Sequence, residues 1–139
     1  MRQSEARAGA ALEVELLWSA AEQVGTQINT SIRVVDGAGT VIAQQDGPPA
    51  RGVIPTTLFF DTPLPDRKSL LLPANLAGGR YRIDVAAYAV EGTVPQGEVQ
   101  PVAWFWLGKP LNTEGAGALA TWQNGLQIVG GAHIDCADV

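Results

Sequence analysis

Apolar and polar residues alternate through most of this chain, and the alternation predicts short β-strands. The clearest case follows Gly78 and Gly79, where one face takes Tyr81, Ile83, Val85 and Ala87 and the other takes Arg80, Arg82, Asp84 and Ala86. Successive side chains of a strand point to opposite faces of its sheet, so this pattern predicts a strand over residues 80–90 with one buried face. No segment shows a sustained helical period.

Other strands are predicted at residues 12–18, 28–35, 40–45, 57–60, 67–72, 99–107, 118–123 and 126–129. Two hairpin signals join pairs of them, Asp36-Gly37-Ala38-Gly39 and Asn124-Gly125. About seven to nine short strands with turns between them indicate an all-β, antiparallel sandwich, and a barrel is the alternative. The Pro- and Gly-rich connection at 46–55 favours the sandwich, because it has the character of a crossover between two sheets.

The length of 139 residues suits one domain. Residues 1–10 are small and polar and predict a flexible leader, and residues 11–108 hold the sandwich. Residues 109–117 have the composition of a linker. Residues 118–139 predict a C-terminal β-hairpin and tail, which pack on the edge of the sandwich or on a neighbouring copy.

Charge and composition exclude several classes of partner and several kinds of segment. A net charge of −5 and a pI near 4.7 argue against nucleic acid and anionic membranes as partners. The single cysteine, Cys136, excludes an internal disulfide. No apolar window is long enough for a transmembrane helix, and the start lacks the apolar core of a signal peptide. Two possibilities stay open, a cytoplasmic protein and a piece cut from a longer one.

Candidate catalytic chemistry is sparse. His133, Asp135, Cys136 and Asp138 cluster at the very end of the chain, where a frayed or edge-strand tail is expected rather than the rigid ligand set of a metal site. No nucleophile elbow, phosphate loop or dinucleotide fingerprint is present. The other acids are predicted to be solvated, on a polar strand face (Glu13, Glu15) or in turns and at strand ends (Asp61, Asp66, Glu91, Glu98). The sequence predicts no enzyme, cofactor or metal.

The most aromatic strand, 99–107, has two apolar faces. Alternation places Trp104 and Trp106 on one face with Val102, and Ala103, Phe105 and Leu107 on the other. A two-layer sandwich has one inner face, so the tail hairpin or another molecule covers the second face, or an aromatic platform is exposed. Exposed tryptophans can stack on sugar rings, but burial or a protein contact is the commoner fate of large aromatics. Trp18 and Trp122 are expected in or beside the core.

The segment Leu76-x-x-Gly79-x-Tyr81-x-Ile83 resembles the tyrosine corner of immunoglobulin-like Greek-key sandwiches. In that motif the tyrosine hydroxyl bonds a backbone group a few residues upstream. The resemblance implies structural roles for Leu76, Gly79 and Tyr81. The acidic residue that usually stands two places before the glycine is Ala77 here.

A wider resemblance covers residues 11–107. Its motifs are Leu12-x-Val14-x-Leu16-x-Trp18, Val34-x-Asp36-x-x-Gly39-x-Val41-Ile42-Ala43-Gln44, Asp46-x-Pro48-Pro49, Pro55-Thr56, Leu72-Pro73 and Leu76-x-x-Gly79-x-Tyr81-x-Ile83-x-Val85. Together they resemble the soluble β-sandwich modules that follow the membrane spans of bacterial multi-spanning glycosyltransferase-like proteins. That resemblance implies an extracytoplasmic location and a larger parent protein. It implies no particular activity.

The tail motif Trp122-x-x-Gly125-Leu126-x-Ile128-x-Gly130 is similar to the strand that precedes the first strand of such modules. Here it comes last, so it can begin a second repeat, pair with its own domain, or pair with another copy in a homo-oligomer. The leading hypothesis is a non-catalytic accessory module that interacts with its parent protein or with itself. Carbohydrate binding through Trp104 and Trp106 is second, and a hydrolytic enzyme is third.

Overall fold

The computed structural model describes residues 6–20, 28–47, 64–89, 98–108, 120–121 and 126–137. Eight strands form in these ranges: β1 (Ala11–Ala20), β2 (Ile28–Val35), β3 (Val41–Gly47), β4 (Leu64–Leu71), β5 (Arg80–Ala89), β6 (Gln100–Trp106), β7 (Ala120–Thr121) and β8 (Leu126–Ala137). They make two four-stranded antiparallel sheets, in the orders β4-β1-β8-β7 and β3-β2-β5-β6. The predicted all-β, antiparallel sandwich is confirmed.

The two sheets share one core, which the alternating apolar positions build. The first sheet contributes the inward side chains of β1 together with Leu70 of β4 and Ile128 of β8. The second sheet contributes Ile32, Ile83 and Phe105, and all of these side chains are buried. The rings of Tyr81 and Phe105 stack there with their centroids 5.6 Å apart. Trp18 is fully buried, as predicted. Sheet faces that alternate strictly between apolar and polar side chains fix which face turns inward.

Residues 6–10, which the sequence assigns to a flexible leader, are part of the sandwich. Ala6 bridges Leu107 in parallel, and its carbonyl accepts a 2.7 Å hydrogen bond from the Gly108 amide. The Leu72 amide donates to the Ala10 carbonyl at 2.9 Å. Ala6 and Ala10 are both buried. The prediction of a flexible leader is therefore wrong for residues 6–10. The sequence does not reveal their burial because small side chains such as alanine give a weak hydrophobic pattern.

The C-terminal strands β7 and β8 complete the sheet that contains β1 and β4 in the same chain. β8 pairs with β1 from Ala11↔Ala137 to Ala20↔Leu126, with an irregularity between Leu16 and Trp18. It is longer than the predicted strand at 126–129 and extends to Ala137. The predicted strand at 57–60 and the linker at 109–117 lie outside the described residues.

The start of β5 has the contact that the tyrosine-corner motif predicts. The Tyr81 hydroxyl donates a 2.5 Å hydrogen bond to the carbonyl of Ala77, four residues earlier. Gly79, with φ of +152°, takes a backbone conformation that side chains with a Cβ rarely adopt. The hydroxyl bond therefore ties the turn to the strand that follows it.

The described ranges contain no helix with the length and apolar character that a membrane span requires.

Candidate functional site

The outward face of β5 and β6 carries two tryptophans beside two arginines. In the strand register Arg82 pairs with Trp104 and Arg80 with Trp106. The tryptophans are 40% and 52% exposed, whereas Phe105 between them is buried. β6 therefore turns one face to the core and presents two aromatic rings on the other. We call Arg80, Arg82, Trp104 and Trp106 the tryptophan face.

The strand register also corrects the predicted position of Val102. Ile83 pairs with Ala103, but the next residue of β5, Asp84, pairs with Pro101, so Val102 is an extra residue in β6. Such a bulge re-aims side chains, and Val102 is buried in the core. The prediction that it shares a face with the tryptophans is wrong. β7 and β8 belong to the other sheet, so neither of these two strands extends the sheet that carries the tryptophan face.

The two arginines of this face are held differently. The Arg80 guanidinium carbon lies 5.5 Å from the centroid of the Trp104 ring, a cation–π arrangement. Arg82 is fixed by Asp84, with Nε to Oδ1 at 2.6 Å and Nη2 to Oδ2 at 2.9 Å. Hydrogen bonding to Asp84, and then its charge, raise the pKa of Arg82. In the described part of the chain Arg80 has no such carboxylate partner.

An open recess of about 430 Å³ lies beside the tryptophan face. It is lined by Asp36, Gly37, Ala38, Gly39, Arg80, Tyr81, Arg82 and Trp104. The β2–β3 turn forms one wall, and it is braced by Asp36 Oδ1, which accepts 2.9 Å hydrogen bonds from the amides of Ala38 and Thr40. The volume falls in the range of small-molecule sites, roughly 300–1,000 Å³. Guanidinium donors, a carboxylate and an aromatic ring thus meet in one place.

A second polar cluster is buried between the sheets. Trp18 Nε1 donates to Asp66 Oδ2 at 3.1 Å, and Lys68 Nζ lies 3.5 Å from Asp66 Oδ1. Trp18 and Asp66 are fully buried and Lys68 is 8% exposed. Asp66 was predicted to be solvated in a turn, and that prediction is wrong. β4 already begins at Leu64, so Asp66 shares the inward face with Lys68 and Leu70.

That cluster has the properties of a structural element. Its carboxylate is closed from solvent, and its two neighbours are an indole and an ammonium group. A reacting group needs access to its substrate, and this carboxylate has none. An inward-pointing charge on an edge strand also discourages pairing with other chains, and β4 is the outermost of the described strands in its sheet.

The predicted tail cluster lies on β8. In the backbone register His133, Asp135 and Cys136 pair with Glu15, Glu13 and Leu12. Among the residues whose side chains the structure describes, which do not include His133, Asp135 and Cys136, no group of three or more His, Cys, Asp or Glu could hold a metal ion. Asp138 lies outside the described residues.

The sequence pattern indicates both tryptophans as candidate binding residues, but it does not indicate their polar neighbours. Arg80 and Arg82 were assigned only to the polar face of a strand, and Asp36 only to a hairpin turn. The strand order β3-β2-β5-β6 brings the three together. Only the pairing of sequence-distant strands could have revealed this recess.

Comparisons with protein-family models, with curated proteins and with solved structures found no match. Among the surfaces that the structure describes, the tryptophan face joins exposed aromatic rings to a recess with polar groups.

Proposed function

We propose that this chain is a non-catalytic accessory module that acts by binding, and that the tryptophan face is its contact surface. The observation that supports this most is the exposure of two large aromatic side chains, Trp104 and Trp106, on the same face of one strand. Grouped exposed apolar surface is typical of interaction sites, and tryptophan is enriched among residues that dominate binding energy.

A protein partner is the first candidate, either another domain of a larger parent protein or a second copy of this chain. The arrangement supports an immunoglobulin-like, Greek-key sandwich. The chain changes sheet between β1 and β2, β3 and β4, β4 and β5, and β6 and β7, and the Tyr81 hydroxyl donates to the Ala77 carbonyl. Such sandwiches commonly serve as modules of extracytoplasmic proteins. We propose the same context here, on the outer side of a bacterial membrane.

A carbohydrate is the second candidate, and the recess is the observation that favours it. Sugars offer apolar C–H faces to aromatic rings and hydroxyls to hydrogen-bonding groups. Trp104 provides a ring in the recess, where Asp36 and Arg80 provide an acceptor and a donor, and Trp106 is a second exposed ring on the same strand. A flat protein contact does not need such a recess.

The experiment compares the full chain with a Trp104→Ala/Trp106→Ala double variant. Self-association is followed by light scattering over a concentration series, and polysaccharide binding by affinity electrophoresis. Leu71→Ala is the matched control, since Leu71 is 63% exposed on the other sheet. We expect the double variant to lose the binding that the wild type and Leu71→Ala share. Binding that survives the double substitution would contradict the proposal.

A further inference from the structure

We propose that the recess beside the tryptophan face is a subsite for a sugar that bears a carboxylate, such as a uronic acid residue of an acidic polysaccharide. This inference rests on the proposed binding role of the tryptophan face and specifies its carbohydrate form. Its starting point is local charge: the recess is lined by two guanidinium groups and one carboxylate, on a chain whose net charge is −5. Asp84 offsets the charge of Arg82, so Arg80 is the lining cation that no carboxylate of the described residues pairs with.

Arg80 is the group that would bind the carboxylate. Its guanidinium is positioned by the Trp104 ring, and no carboxylate in the described residues pairs with it. A planar guanidinium presents donors in a fork that matches a carboxylate in bidentate geometry. At 5.5 Å from the Trp104 centroid, the guanidinium makes a contact with the ring face that uses none of its N–H donors as hydrogen bonds to a carboxylate.

Arg82 has a different role, because Asp84 already occupies two of its donors. That ion pair fixes the Arg82 side chain in the lining of the recess and offsets its charge. Replacing Arg82 would therefore disturb the sheet face as well as the ligand. Arg80 is the cleaner position to test.

The remaining groups orient the sugar ring. Asp36 Oδ1 accepts hydrogen bonds from the turn amides, and Oδ2 can accept from sugar hydroxyls. The negative charge of Asp36 repels a ligand carboxylate, which favours binding of that carboxylate at Arg80. Trp104 and Trp106 are two residues apart on one strand face, roughly 7 Å at about 3.3 Å per residue. The ring in the recess would contact Trp104, and Trp106 would contact the next part of the chain.

The test uses three acidic oligosaccharides, built from galacturonate, mannuronate and glucuronate-containing units, each beside its methyl ester. The ester keeps the ring and removes the charge. Binding to the full chain is measured by isothermal titration calorimetry. We expect at least one acid form to bind roughly tenfold or more tighter than its ester, the scale of one charge-assisted hydrogen bond. The preference should shrink between about 50 and about 500 mM NaCl, because added salt screens exposed charges.

Two variants locate the effect. Arg80→Gln should lose the preference for the acid form, whereas Arg67→Gln, which removes the same charge from the other sheet, should keep it. Equal binding of acid and ester, or a preference that survives Arg80→Gln, would overturn the inference. Failure of all three acids while the tryptophan face binds another partner would overturn it and leave the proposed function standing. Binding unaffected by Trp104→Ala/Trp106→Ala would count against the proposed function itself.

Discussion

Replacing Lys68 by methionine should destabilise the sandwich far more than its place on an edge strand suggests. Methionine keeps the length of the side chain and removes the ammonium group that lies 3.5 Å from Asp66 Oδ1. Oδ1 is buried and has no hydrogen-bond partner of its own among the described residues. The carboxylate would keep only the bond from Trp18.

The magnitude follows from burial. Removing one partner of a buried ion pair leaves an uncompensated charge and typically costs about 3–5 kcal/mol. The separation of 3.5 Å is longer than that of a tight charged hydrogen bond, so we expect the lower end, about 3 kcal/mol. Exposed pairs contribute much less, about 0–1 kcal/mol. The neighbouring Arg67–Glu15 pair, at 3.4 Å with the Arg67 side chain 59% exposed, is of that kind.

Equilibrium urea denaturation, followed by circular dichroism, measures the loss. Arg67→Gln is the matched control, because it removes a charge from the opposite face of the same strand. A cycle with Asp66→Asn adds a second check: the double variant should lose less than the sum of the single variants, since neither then leaves the other charge alone. If Lys68→Met costs no more than Arg67→Gln, the buried pair does not stabilise the fold.

Two further substitutions test the start of β5. Tyr81→Phe removes the bond to Ala77 and should lower the free energy of unfolding by about 1 kcal/mol; Tyr88→Phe, half-buried on the same strand, should change it little, and equal urea midpoints would argue against the tyrosine corner. Gly79→Ala should cost about 1–3 kcal/mol through backbone strain at φ of +152°, because no atom crowds its Cβ position; an unchanged thermal midpoint would show that the turn adjusts without strain.

The sandwich could be predicted because its strands obey a period of two. The strand predicted at 80–90 is β5, Arg80–Ala89, with Tyr81, Ile83 and Val85 buried. The prediction of a single buried face is wrong in the middle of the strand, where Asp84 and Ala86 of the opposite face are buried as well. A strand that buries one face needs apolar residues at every second position, so the alternation alone is enough to predict the strand. The tyrosine hydroxyl bond was foreseeable for a similar reason, because both of its ends lie within a few residues.

What could not be predicted depends on strand pairing. Asp66 follows Pro65 and has the local character of a turn, yet β4 carries it inward against Trp18. The bulge that buries Val102 exists only in the register of β6 against β5. In both cases the position of a side chain depends on residues far away in the sequence, which a local pattern does not contain.

The candidate site could also be predicted only in part. The sequence showed that β6 is apolar on both faces, but it could not say which face is covered. The structure turns Phe105 inward and leaves Trp104 exposed. The recess needed three separate segments, around Asp36, Arg80 and Trp104, to meet across neighbouring strands.

The most direct test of the tryptophan face is the indole N–H region of a ¹H–¹⁵N correlation spectrum, in which each of the four tryptophans gives its own signal. The signals are followed as uronate oligosaccharides are added, and separately as the concentration of the protein itself is raised. We predict that the Trp104 and Trp106 signals shift in one of these titrations, while the signal of Trp18, buried and bonded to Asp66, stays in place. Binding that leaves both Trp104 and Trp106 unmoved would contradict the account.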